Sequence, residues 1–188
     1  WLVRGAYIIT GFGGLVSLKL LDNYLQLGLD WLWIPGIVFA GLGAVYTPFL
    51  FNQARARDLW QTPIVSAIHM LVHAVMAGSI VMMVISPDTI EWMAKSLFWG
   101  IVLSMVIIAK EILLPHDTKD TRKAIQLMTK GYYSKHFWSG VMIGYIIPLI
   151  ILLTLSRDWF FIAGGFVLIG IFLTEFVRIR VPQLIPLS

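Results

Sequence analysis

The sequence contains no cysteine. Disulfides are therefore excluded, as is any iron–sulfur cluster held by thiolates of this chain. Charge is scarce as well: 13% of the 188 residues are Asp, Glu, Lys or Arg, about half the share in a soluble domain. The usual catalytic templates are missing. No HExxH or CxxC metal spacing, phosphate loop or Ser–His–acid set stands out. Gly11-Phe12-Gly13-Gly14 lies in an apolar run with no strand before it, so it is not a dinucleotide fingerprint. No catalytic residue and no metal ligand is assigned, and covalent chemistry on a polar substrate is not expected.

What fills the chain instead is apolar: 59% of residues are hydrophobic, and the mean hydropathy is +0.84. A helix needs about 20 apolar residues to cross a bilayer. Six runs approach that length: Arg4–Leu21, Asp30–Phe51, Pro63–Ile85, Lys95–Leu114, Phe137–Leu155 and Trp159–Val177. The loops are short except Pro115–His136. We expect an all-α, polytopic transmembrane helix bundle, with residues 1–188 as a single integral membrane domain. The chain opens on Trp1 rather than Met, with no signal peptide before the first run, which suggests that helices precede it in the whole protein.

The charges are distributed unevenly. With six crossings, eleven of the 14 Lys and Arg residues fall on one side, all except Lys19, Lys95 and Arg157. By the positive-inside rule both ends of this segment are expected in the cytoplasm, in a cell inner membrane. The opposite side is acidic, with Asp22, Asp30, Asp88, Glu91 and Asp158. A pI near 9.5 thus reports topology rather than nucleic-acid binding. Trp31, Trp33, Trp60, Trp92, Trp99, Trp138 and Trp159 sit near the ends of runs, as in an aromatic belt.

Small residues and prolines punctuate the runs. Gly140 and Gly144 have the GxxxG spacing that brings membrane helices together. Pro35, Pro48 and Pro148 fall in or near the spans, where each frees a backbone carbonyl and bends the helix. The long loop carries Thr118, Asp120 and Thr121 as cap candidates, an apolar side of Ala124, Ile125 and Met128, and Gly131 as a stop. It reads as a short helix at the interface, serving as connector or as docking surface for a partner subunit. Arg55 and Arg57, in the turn from Asn52 to Gln61, could hold lipid phosphate or simply mark topology.

The polar groups inside the spans carry the functional information, because each is costly in lipid. Ser66, His69 and His73 are spaced three and four apart, on one face of the third run. Two histidines one turn apart on one helix cannot grip one haem iron from opposite sides, and the other two histidines, His116 and His136, lie in the loop, which leaves only a His–Met pair for a haem. The other readings of His69 and His73 are quinone hydrogen bonding or proton relay and, equally, a buried histidine bonded to a neighbouring helix. Glu111 and Glu175 fall near the ends of their runs. Tyr46, His69, Glu111 and Glu175 come out at comparable depth, about 5–10 Å inside the cytoplasmic edge. The bland reading is local pairing, Glu111 with Lys110 and Glu175 with Arg178.

A longer pattern gathers these residues. The run AVYTPFLFNQARARDLWQTP…HMLVHAVMAGS from Ala44 to Ser79 resembles the NrfD-like family, the membrane subunits of polysulfide reductase and alternative complex III. So do EILLPHDT from Glu111, GYYSKHFWSGVMIGYIIPL at Gly131–Leu149, and the closing VPQLIPLS. The resemblance implies a bundle of eight or ten helices, of which about six are present here. It implies a quinone or quinol, menaquinone or ubiquinone, as the bound redox partner, with no haem or iron–sulfur cluster in this chain. It implies a ferredoxin-like iron–sulfur subunit and a catalytic subunit, of molybdopterin type, as partners. Tyr46 matches the tyrosine of the family's AVYT motif and is the expected quinone contact, together with His69 and His73. His73, Glu111 and Glu175 resemble the family's proton path. The rival functions are an ion or small-solute transporter and a passive anchor for a redox complex.

Overall fold

The fold was examined in a computed structural model, which describes residues 1–53, 62–114 and 118–185. The expected turn residues Arg55, Arg57 and Trp60, the loop residue His116, and the last three residues lie outside that set. Every regular element among the described residues is helical. They are α1 (Leu2–Leu25), α2 (Trp33–Phe51), α3 (Pro63–Ile85), α4 (Ile90–Leu113), α5 (Lys119–Thr129), α6 (Ser134–Val141), α7 (Ile147–Thr154) and α8 (Phe160–Arg180). A π-helical turn, Met142–Ile146, joins α6 to α7 in one rod, and a 3-10 turn, Val181–Leu184, follows α8.

Five segments are long and apolar enough to cross a membrane: Asp30–Phe51, Pro63–Ile85, Pro87–Leu113, Ser134–Thr154 and Arg157–Leu184. They cover five of the six expected runs, Leu114 and Leu155 falling one residue beyond. The sixth, Arg4–Leu21, lies within α1, which is 24 residues long. It falls outside the group because glycines and the charges of Arg4, Lys19 and Asp22 dilute its apolar character. The expected fourth run begins late. Glu91 and Trp92 look like loop residues but occupy the first turn of α4, where an acidic side chain suits the helix dipole.

The described residues divide into two compact units, 1–53 with 62–71 and 72–114 with 118–185, so α3 contributes to both. In the first unit α1 and α2 form a hairpin. A Cβ at Gly5 would come within 2.6 Å of the Tyr46 ring, and Gly11 lies equally tight against Phe39. The turn is pinned by charge: Asp22 accepts the Leu29 N–H at 2.8 Å, and Lys19 donates to Asp22 at 2.6 Å and to Asp30 at 3.0 Å. Gln26 adopts the left-handed conformation (φ 55°) that ends α1.

In the second unit α8 packs along the rod of α6 and α7. Gly144 meets the backbone of Gly170 directly, and Gly140 faces Thr174. This is the close approach that the GxxxG spacing promised. Met76 of α3 fills the space beside Gly100 of α4, and Ser79 donates to Ser96 across the same pair at 3.0 Å. Phe137, Tyr145, Leu97, Ile101, Val167 and Val177 are fully or almost fully buried. Outward faces are apolar too, with Trp92 and Phe172 about 70% exposed, as a lipid-facing surface requires.

Pro148 explains the π turn. Lacking an N–H, it cannot bond the carbonyl of residue 144, four positions back, and the helix widens there instead of breaking. The loop helix also forms as its caps require. The Thr118 hydroxyl accepts the Thr121 N–H at 3.2 Å, the Gly131 N–H donates to the Gln126 carbonyl at 2.8 Å, and Ala124, Ile125 and Met128 are buried.

The glycine contacts generate a test. Gly170→Ala places a methyl group onto Gly144 and is expected to destabilise the protein by about 2 kcal/mol. Gly165→Ala meets open space and is expected to change stability by less than about 0.5 kcal/mol. Thermal unfolding in detergent distinguishes the two; equal melting temperatures would contradict the packing described.

Candidate functional site

Six polar side chains of the second unit lie in series, each within 3.5 Å of the next. The series starts on α8, where the Thr174 hydroxyl donates to the Gly170 carbonyl at 2.9 Å. Having spent its proton there, Thr174 can only accept from Tyr145, whose Oη is 3.4 Å away. Tyr145 Oη is also 3.2 Å from Nε2 of His73 on α3. Nδ1 of the same ring lies 3.5 Å from Oε1 of Glu175. Glu175 accepts from Nη1 of Arg178 at 3.2 Å. Arg178 then reaches α4, where its Nη2 is 3.1 Å from Oε2 of Glu111.

Each element contributes for a local reason. Thr174, Glu175 and Arg178 lie within a little more than one turn of α8, so they share a face over about 6 Å of axis. Tyr145 sits in the π turn, which changes the direction its neighbours would have in a regular helix. Close packing of Gly144 on Gly170 sets the distance across which Tyr145 meets Thr174. Glu111 arrives from the last turn of α4.

These groups are shielded. Thr174 and Tyr145 are fully buried and His73 is 5% exposed. The side chains of Glu111, Glu175 and Arg178 are 15%, 15% and 13% exposed. One guanidinium thus faces two carboxylates, leaving a formal charge of −1 beside a neutral imidazole. The neutral His73 ring has two tautomers, and each satisfies a different part of the run. With the proton on Nδ1, Tyr145 donates to Nε2 and has no proton left for Thr174; with the proton on Nε2, the ring donates to Tyr145, which donates to Thr174. Passing from one to the other takes a proton onto one ring nitrogen and a proton off the other.

Of the residues singled out in the sequence, His73, Glu111 and Glu175 come together. Glu175 and Arg178 pair locally as the bland reading held, but the same arginine bridges to Glu111 on another helix. His69 is fully buried one turn before His73 on α3. Tyr46 belongs to the first unit and lies against Gly5 of α1. Sequence reasoning missed Tyr145 and Thr174. The available signal was a hydroxyl in the interior of one largely apolar run and another next to Glu175.

Comparison with protein-family models matches residues 14–186 to the family described as polysulphide reductase, NrfD. The chain belongs to this NrfD family. Comparison with curated proteins finds no match, nor does comparison with solved structures. This NrfD chain is a multi-pass membrane protein, of the kind that serves as membrane subunit in polysulphide reductase-like complexes.

In this NrfD protein the guanidinium is the group whose loss is most damaging. Arg178→Met leaves two carboxylates facing each other out of water. It is expected to cost about 3 kcal/mol of stability, read as a lowered unfolding midpoint in detergent. Glu111→Gln in the same chain is expected to recover part of that loss; an undiminished midpoint in Arg178→Met would contradict the pairing.

Proposed function

We propose that this chain is a quinone-interacting membrane subunit of a respiratory oxidoreductase, and that His73, Glu175 and Glu111 carry the protons of that reaction. The observation that supports the reading is the series of polar side chains from Thr174 through Tyr145, His73 and Glu175 to Arg178 and Glu111, each within 3.5 Å of the next. A lipid-embedded bundle has no structural need for so many ionisable groups in line. Oxidation of a quinol to a quinone releases two electrons and two protons. The protons need titratable groups within hydrogen-bond reach or one water away. The electrons need a partner, since this chain has no cysteine for a cluster of its own.

The proposed quinone contacts are Tyr46 and His69, with His73 as first relay. A phenol hydroxyl and an imidazole N–H are suitable donors to quinone oxygens, and the quinone is menaquinone or ubiquinone. His73 passes the proton to Glu175, and the guanidinium of Arg178 holds Glu175 and Glu111 within one electrostatic unit. The proposed partners are a ferredoxin-like iron–sulfur subunit and a catalytic subunit of molybdopterin type. The proposed setting is the inner membrane, with both ends of this segment on the cytoplasmic side.

The test is quinol turnover by the intact complex in membranes. Glu175→Gln is expected to lower the rate about 100-fold while the complex still co-purifies. Tyr46→Phe and His69→Ala are expected to lower turnover without loss of assembly. Undiminished turnover in Glu175→Gln would remove the proton assignment, and undiminished turnover in both Tyr46→Phe and His69→Ala would remove the quinone contacts.

A further inference from the structure

Outside the buried run, the second unit has a groove that the proposed reaction does not use. It lies between α5 and the 3-10 turn after α8, and its volume is about 470 Å³. Lys123, Gln126, Leu127 and Lys130 line one wall. Their spacing of three, four and seven places them on one face of α5. Leu184 and Ile185 form the opposite wall, and Gly131 lies at the end. The floor is therefore apolar and the rim cationic.

Three further observations bear on what would occupy it. First, α5 is basic: Lys119, Arg122, Lys123 and Lys130 outnumber Asp120. Lys123 lies 3.5 Å from Asp120, but at 64% side-chain exposure such a pair is weak and leaves the ammonium open to another anion. Second, the groove lies at headgroup level. Exposed Tyr132 follows Gly131 in sequence, and the half-exposed Trp138 indole donates to the Thr129 carbonyl at the end of α5 at 2.9 Å. Third, α8, whose end leads into the groove wall, carries an aromatic stripe. Tyr133, two residues after Gly131, lies 6.3 Å from Phe176, which stacks on Phe172 at 6.4 Å, and both phenylalanines are exposed on α8.

We propose that this groove binds an anionic phospholipid, its phosphate at Lys123 and Lys130 and an acyl chain along the Phe176–Phe172 stripe. A cationic rim, apolar groove residues and an exposed aromatic stripe on the same helix as the groove wall supply the chemistry that the parts of one such molecule need. Basic pockets at the ends of membrane helices hold anionic headgroups by this combination of charge and apolar contact. An acidic protein segment would use the rim but not the stripe.

The test measures the unfolding midpoint of the purified complex in detergent as lipid is added. Phosphatidylglycerol is expected to raise the midpoint by about 5 °C at saturation, and phosphatidylcholine to leave it unchanged. The K123Q/K130Q variant is expected to lose the response, and K123R/K130R to keep it, each compared with its own lipid-free midpoint. An equal response to phosphatidylcholine would overturn the proposal. So would a full response in K123Q/K130Q, or an equal rise with inorganic phosphate alone, which would make the site one for a free anion. Because quinol turnover is not the readout, failure here leaves the proton assignment untouched, and the converse also holds.

Discussion

One guanidinium between two carboxylates organises the second unit. Arg178 lies 3.1 Å from Glu111 and 3.2 Å from Glu175. None of these side chains is more than 15% exposed. In lipid or protein interior, isolated charges are costly, and pairing offsets that cost only when the geometry is good. The arrangement ties the end of α4 to the end of α8. It also leaves the group one positive charge short of neutrality, and the nearest titratable neighbour is His73. Its Nδ1 lies 3.5 Å from Glu175.

The remaining geometry serves that arrangement. Gly140 and Gly144 let the α6–α7 rod approach α8 closely enough for Tyr145 to reach Thr174. Pro148 forces the π turn that carries Tyr145. The same tyrosine reaches His73 on α3. Packing residues and polar residues are therefore interdependent: a change at Gly144 or Pro148 alters the hydrogen bonds of groups it never touches. A passive anchor would need the packing but not the polar run.

Much of the fold was legible because hydropathy alone identifies membrane helices. The third run, Pro63–Ile85, coincides with α3, since proline at one end and a Ser-Pro pair at the other punctuate it clearly. Boundaries were less legible where charged residues enter a first turn, as Glu91 does in α4. The loop helix was legible from Thr118, Gly131 and the spacing of Ala124, Ile125 and Met128. In the site, His73, Glu111 and Glu175 were legible because ionisable residues in spans are conspicuous. Tyr145 was not, because a tyrosine in an apolar run also reads as packing, and Pro148 marked a bend in that helix without showing which side chain the bend would redirect. The bridge from Arg178 to Glu111 joins residues 67 apart, a pairing that only the tertiary arrangement of α4 and α8 produces.

The central claim is that the buried run changes its protonation as the quinone pool is oxidised and reduced. Electrochemically driven infrared difference spectroscopy of the assembled complex observes carboxyl groups directly. The account predicts a carboxyl carbonyl-stretch signal that reverses with the redox cycle and vanishes in a Glu175→Gln complex. A spectrum without carboxyl changes, or one that is the same in the Glu175→Gln complex, would contradict it.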